Sequence, residues 1–179
     1  MVKITLLILL LLSLFLYTIP CLANTSFELA YGVVPAKKSS VQQGDSWRLS
    51  YAQDLTLFDE FLQQYNLDLR LEASMQRWQD INNRHNHVVS INPIFQYLWD
   101  SQPISIFIEF GIGAAYFENS HYLDRNLGSH WLFEDKLAIG VVLSNKHRIG
   151  LFIMHYSNAD LASHNDGADS IGLSYGYIW

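Results

Sequence analysis

The chain has 179 residues, half of them hydrophobic and 16% charged, with a formal net charge of −6 and one cysteine. The acidic balance leaves no basic surplus to neutralise phosphates and speaks against a nucleic-acid partner. A lone cysteine excludes a disulfide framework and a thiolate metal site, and the length fits one domain.

The first predicted element is a targeting segment. Lys3 supplies a positive start, Ile4 to Leu16 an apolar run, and Pro20, Cys21, Leu22 and Ala23 a helix-breaking end with a small residue before Asn24. This pattern predicts a cleaved secretory signal peptide over 1–23 and a cysteine-free mature domain over 24–179. The run is shorter than the roughly 20 apolar residues of a membrane helix. Pro20 and Thr18 depart from a lipidation box around Cys21.

Beyond the leader, apolar and polar residues alternate. Leu67, Leu69, Leu71, Ala73 and Met75 interleave with Asp68, Arg70, Glu72, Ser74 and Gln76, which gives one greasy and one polar face. The same dyad runs through His87, Val89 and Ile91 to Phe95, Tyr97 and Trp99, and through Ile104, Ile106, Ile108, Phe110 and Ile112. It returns in Ile171, Leu173, Tyr175, Tyr177 and Trp179. In chain order the predicted strands are 25–34, 45–56, 63–77, 86–99, 104–117, 130–143, 147–157 and 168–179. Two places fit poorly: Asp135 interrupts the outward parity of Trp131, Phe133, Leu137 and Ile139, and Leu55 to Tyr65 is irregular.

Connections near Phe58 to Glu60, Asp100 to Pro103 and Asn145 to Lys146 read as short, while Pro35 to Gly44, Gln79 to Arg84, Glu118 to Ser129 and Asn158 to Gly167 are longer and polar. That alternation, the secretion signal and the terminal aromatic strand predict an all-β fold, an eight-stranded antiparallel transmembrane barrel in the outer membrane with both termini in the periplasm. A soluble sandwich or lipocalin-like barrel has the same alternation with its apolar face turned inward.

Candidate chemistry lies in the last two strands. Ile149, Leu151, Ile153, His155 and Ser157 share one parity, so two polar residues end a lipid-facing aliphatic row. His155 and Ser157, two residues apart, point the same way as a base and nucleophile must. Asp169 shares the outward parity of the returning strand and enters it level with His155, where a carboxylate can orient the imidazole. A polar set on a lipid-facing row is costly unless function requires it.

The run His155, Tyr156, Ser157, Asn158, Ala159, then Asn165, Asp166, Gly167 and an acid two residues later, resembles the signature of the lipid A 3-O-deacylases, the PagL family. The resemblance extends to Gly111 to Gly113, Tyr116, Phe117, Leu127 to Ser129 and Phe133. It implies a serine esterase with Ser157 as nucleophile, His155 as general base and Asn158 with Ala159 as oxyanion-hole donors. The implied substrate is lipid A, from which the 3-hydroxyacyl chain ester-linked at position 3 is hydrolysed in the outer leaflet, without a cofactor. The family's acid is a glutamate, and the matching Asp169 is one methylene shorter. Asp166, Asp160 and Asp135 are the alternative acids.

Other expectations are plainer. His85 and His87 share a parity without a third ligand, and no metal is expected. Lys37, Lys38, Arg84 and Arg125 fall in predicted loops, as solvated charges or as contacts for lipid phosphates. A homodimer stays open as an assembly state. The competing functions are an outer-membrane phospholipase A-like esterase and a small structural barrel without activity.

Overall fold

A computed structural model describes residues 25–38, 43–80, 82–101 and 103–179. The expected leader lies outside the described residues. Eight long strands form the body: β1 Thr25–Val34, β2 Gly44–Leu55, β3 Leu67–Gln79, β4 His85–Trp99, β5 Ile104–Phe117, β8 Trp131–Leu143, β9 His147–Ser157 and β10 Ala168–Ile178. Between β5 and β8 a small hairpin adds β6 His121–Tyr122 and β7 Arg125–Asn126.

The long strands close into an antiparallel barrel in the order β1-β10-β9-β8-β5-β4-β3-β2. Closure is made by β1 against β10, with Ser26 opposite Ile178 and Val33 opposite Ile171. A closed ladder leaves no open edge and pairs main-chain groups across every seam, the condition a strand structure must meet in hydrocarbon.

Parity decides what the barrel encloses. The exterior carries Leu49, Ile91, Ile108, Leu137, Leu151 and Leu173, all exposed. The interior carries Arg48, Arg70, Lys136 and Arg148, all buried. Arg48 grips Glu134 with two parallel bonds of 3.0 Å and reaches Glu72 at 2.6 Å. Lys136 bonds Glu72 at 2.8 Å, and Glu109 holds Arg70 at 3.0 Å and Arg148 at 2.6 Å. A soluble barrel would have these faces reversed. A continuous aliphatic exterior over an ion-paired interior suits only a hydrocarbon surrounding.

The strand reading from sequence holds to within one or two residues at most boundaries. The connection from β2 to β3 is the exception, since the expected short turn is an eleven-residue link between Leu55 and Leu67. It contains α1, Asp59–Leu62, within the predicted connection, and a 3-10 turn, Gln63–Tyr65, at positions assigned to the start of a strand. Phe58 and Asn66 take left-handed backbone conformations on either side (φ 66° and 55°), and Asp59 and Glu60 complement the positive end of the helix.

At the long-loop end the interior changes from ionic to aromatic. Trp78, Phe117, Tyr122 and Tyr156 pack edge to face with centroids 5.2–5.3 Å apart. This cluster is the floor on which the candidate site is built.

Candidate active site

Tyr156 sets the orientation of its neighbours. Its ring is fully buried in the aromatic cluster, and its hydroxyl accepts a 3.0 Å hydrogen bond from Gln76 Nε2. Because side chains alternate along a strand, an inward Tyr156 sends His155 and Ser157 outward at the end of the Ile149, Leu151, Ile153 row.

Both neighbours of His155 across the sheet are aspartates. Asp169 on β10 and Asp135 on β8 are each its direct partners in register. Asp169 Oδ1 lies 2.7 Å from His155 Nδ1. The shorter aspartate reaches the ring, since direct opposition across the β9–β10 seam brings the carboxylate within range without the extra methylene. Asp135 has no hydrogen bond among the described residues. The interruption of parity read in the sequence is therefore an outward, half-buried carboxylate beside the imidazole.

With Nδ1 donating to Asp169, the Nε2 lone pair is left to accept a proton. Ser157, half-buried and opposite Phe133, stands two residues along the same row. Its hydroxyl bonds to no described residue.

The other candidate acids are engaged elsewhere. Asp160 accepts from Asn165 Nδ2 at 3.0 Å. Asp166 accepts the backbone N–H of Asn126 at 2.8 Å and pairs with the Lys37 ammonium. The Lys37 hydrogen bond, then the Asn126 N–H, holds the Asp166 carboxyl below the usual carboxylate range.

The loop after Ser157 is tied from within. Asn158 is buried, and its Nδ2 donates to Leu127 O at 2.8 Å and to His164 O at 2.7 Å. Its backbone N–H donates to Asn165 Oδ1 at 3.1 Å. Both Asn158 donors are thus engaged, within the loop and with Leu127 from the segment between β7 and β8. Ala159 and Asp160 follow with consecutive positive φ, 51° and 59°, closed by Leu161 N donating to Asn158 O at 3.0 Å. The N–H groups of Ala159 and Asp160 have no partner among the described residues. Successive free N–H groups in such a turn form a concavity suited to an oxyanion.

Two contributors lie outside the predicted triad and oxyanion hole. Gly167 has φ +59°, and a Cβ there would stand 3.1 Å from His155 Cε1, so the glycine lets the backbone lie against the imidazole. Arg125, expected as a loop charge, turns its guanidinium onto carbonyls instead: Gly167 O at 3.0 Å, Asp166 O at 3.2 Å and Pro35 O at 3.2 Å. It fixes the segment that touches the ring.

Directly below His155 the exterior is grooved. A cavity of about 440 Å³, almost wholly apolar, is lined by Ile108, Leu137, Ile139, Leu151, Ile153 and Ile171. Ile153 precedes His155 on the same outward row, so the groove runs along the barrel wall to the catalytic candidates.

This geometry agrees with three comparisons. The family model described as Lipid A 3-O-deacylase (PagL) matches residues 45–178. The chain is 42% identical over 89 residues to the lipid A deacylase PagL of Pseudomonas aeruginosa, covering 50% of this chain and 51% of that protein. It is 35% identical over 114 residues to the lipid A deacylase PagL of Bordetella bronchiseptica, covering 62% of each. The aligned part thus spans about half to three fifths of the length of these relatives. Among solved structures, the outer membrane enzyme PagL superposes with a TM-score of 0.71 at 32% identity, covering 84% of this chain and 97% of the other. Neisserial surface protein A shares the fold, with a TM-score of 0.52 at 13% identity over 87% of this chain and 94% of the other.

Proposed function

Because this chain belongs to the lipid A 3-O-deacylase (PagL) family of outer-membrane β-barrels, we propose that it hydrolyses the ester linking the 3-hydroxyacyl chain to position 3 of lipid A. The observation that carries the reading is the 2.7 Å contact of His155 with Asp169, on an outward row that ends in Ser157.

In this mechanism His155 Nε2 takes the Ser157 proton as Oγ attacks the ester carbonyl, and Asp169 stabilises the imidazolium. The tetrahedral oxyanion is met by the N–H of Ala159, with that of Asp160 beside it, at about 3 to 4 kcal/mol per effective donor. Asn158 contributes by fixing the turn that presents these groups. His155 returns the proton to the sugar oxygen as it leaves. A water deprotonated by the same nitrogen then releases the fatty acid.

The site's setting supports the substrate. An acyl chain lying in the apolar groove places its ester at the groove's upper end, and Asp135, outward and without a hydrogen bond among the described residues, can accept one from a hydroxyl on that chain. Both ends of the described chain lie together at the short-turn end, where Trp179 N donates to Thr25 O at 3.1 Å. With that end in the periplasm, the triad faces the outer leaflet, where lipid A resides. The closed barrel completes its own site, and the reading needs no second copy.

A phospholipase A-like barrel of about twelve strands is disfavoured by a chain that closes with eight. The test is mass spectrometry of lipid A from cells expressing wild type, His155→Ala or Ser157→Ala. Loss of one hydroxyacyl mass with wild type alone supports the deacylase. Unchanged lipid A with all three, or equal loss with Ser157→Ala, sinks it.

A further inference from the structure

A second cavity, of about 380 Å³, opens at the long-loop end away from the triad. It falls within the ~300–1,000 Å³ typical of small-ligand sites. Its walls come from the β3–β4 turn, with Asp80, Arg84 and His85, and from the segment between β5 and β8, with His121, Tyr122 and His130. Nothing in the deacylase mechanism uses these groups.

The hydrogen bonds around the cavity leave cationic donors facing it. Asp80 has both oxygens occupied: Oδ1 accepts the N–H groups of Asn82 at 2.8 Å and Arg84 at 2.9 Å, and Oδ2 accepts Arg84 Nε at 2.7 Å. One edge of the Arg84 guanidinium is thereby fixed, and its two terminal nitrogens have no hydrogen bond among the described residues. Tyr122 donates its hydroxyl to Gln79 O and is also committed. His130 donates Nδ1 to Phe117 O at 2.9 Å. That bond sets the tautomer: neutral His130 presents a lone pair at Nε2, and only the protonated ring presents a second donor. His121 Nδ1 meets Ser120 Oγ at 3.3 Å, and His85 Nε2 meets Arg77 at 2.9 Å. The remaining charged groups nearby are His87 with Glu118, closed on itself at 2.8 Å, and the Asp45 carboxylate on the far side of Tyr122.

The cavity also sits at a defined height. His130 stacks on Tyr116 with centroids 5.8 Å apart, and Tyr116 meets the exposed Trp131 at 5.1 Å. Outward aromatic groups of this kind mark the headgroup level of a membrane.

We propose that this cavity is a binding site for a tetrahedral phosphate, held by Arg84 with His121 and His130 and strengthened by acid. The phosphate is that of a membrane lipid headgroup or a free ion, since the same donors serve both. Protonation adds a positive charge and an N–H donor at each ring, and the charge of the occupied Asp80 is already offset by Arg84. The inference goes beyond the esterase reading and stands whether or not that reading does.

The test uses the full chain in zwitterionic micelles, observing histidine ring resonances by nuclear magnetic resonance. Sulfate is the first probe, because its charge is constant between pH 5.5 and 7.5. The expected result is a saturable shift of the His121 and His130 rings, at least tenfold tighter at pH 5.5, with His155 unmoved. Arg84→Gln and His130→Gln should each weaken binding about tenfold at pH 5.5 with the rest of the spectrum unchanged. Dihexanoyl phosphatidic acid and inorganic phosphate then separate the sources: tighter binding of the lipid assigns a headgroup, and tighter binding of the ion assigns free phosphate. No saturable shift, equal affinity at both pH values, or undiminished binding in the Arg84→Gln, His130→Gln double variant overturns the proposal.

Discussion

Asp135 and Asp169 flank His155 as its two cross-strand partners, one on β8 and one on β10, yet only Asp169 bonds the imidazole, at 2.7 Å. Two carboxylates at equal register therefore differ in their contacts. Asp169 holds the ring, and Asp135 faces outward without a hydrogen bond among the described residues.

This division predicts separable kinetics. Asp169→Asn should lower kcat by about 100- to 10,000-fold, the range set by loss of the orienting acid in triads. Asp169→Glu should stay within about tenfold of wild type, because a longer carboxylate at the same register can make the same bond. Asp135→Asn should chiefly raise KM for hydroxyacyl substrates while leaving plain acyl esters unaffected. Steady-state release of fatty acid from the two ester types measures all three. Equal kcat losses for Asp135→Asn and Asp169→Asn would remove the assignment.

Gly167→Ala tests the contact behind the ring. The added methyl group would lie 3.1 Å from His155 Cε1 at a backbone φ of +59°, where a non-glycine residue costs about 1–2 kcal/mol. The expected outcome is a folded barrel with kcat reduced at least about tenfold, as small misplacements of catalytic groups do. Heat-shifted electrophoretic mobility reports the fold alongside the assay.

Strong acid should release the contacts of Asp166 with the Asn126 N–H and the Lys37 ammonium. Asp166 has a folded-state pKa below its unfolded one, so its contribution is present above the ordinary carboxylate range and is lost as pH falls through the lowered value. Hydrogen exchange at the Asn126 amide should be flat from pH 5 to 8, after correction for intrinsic rates, and rise only under stronger acid. Acceleration already between pH 7 and 5 would contradict this.

The groove can be filled from its own wall. Ile153→Trp or Leu151→Trp should lower kcat/KM for long acyl chains by about 10- to 100-fold while short-chain esters change little, the signature of a blocked apolar pocket. Equal losses on both substrates would place the acyl chain elsewhere.

Tyr156 links catalysis to stability. Tyr156→Phe removes a buried hydroxyl that Gln76 bonds at 3.0 Å and should cost about 1–2 kcal/mol, whereas Tyr156→Ala opens the aromatic cluster and should cost about 3–5 kcal/mol. Urea unfolding in detergent or vesicles would rank the two.

Much of this was legible in the residue order. A strand's side-chain period is two, so the rows Ile104 to Ile112 and Ile149 to Ser157 declare their faces without knowledge of any partner. The eleven residues between β2 and β3 break the alternation, so a period of two gives no reading of their short helical turns, and Phe58 and Asn66 turn the backbone left-handed there. Asp135 looked like a fault in the pattern until β8 was laid beside β9.

The sequence by itself determined the two-faced strands, the placement of His155 and Ser157 on one outward row, and the matched parity of Asp169, because these follow from local alternation. Only the tertiary structure decided which aspartate bonds the imidazole, that Arg125 clamps carbonyls as far away in the chain as Pro35, and that Asp166 joins the loops carrying Lys37 and Asn126. Those relations depend on register and barrel closure, which bring together residues 14 to 90 positions apart.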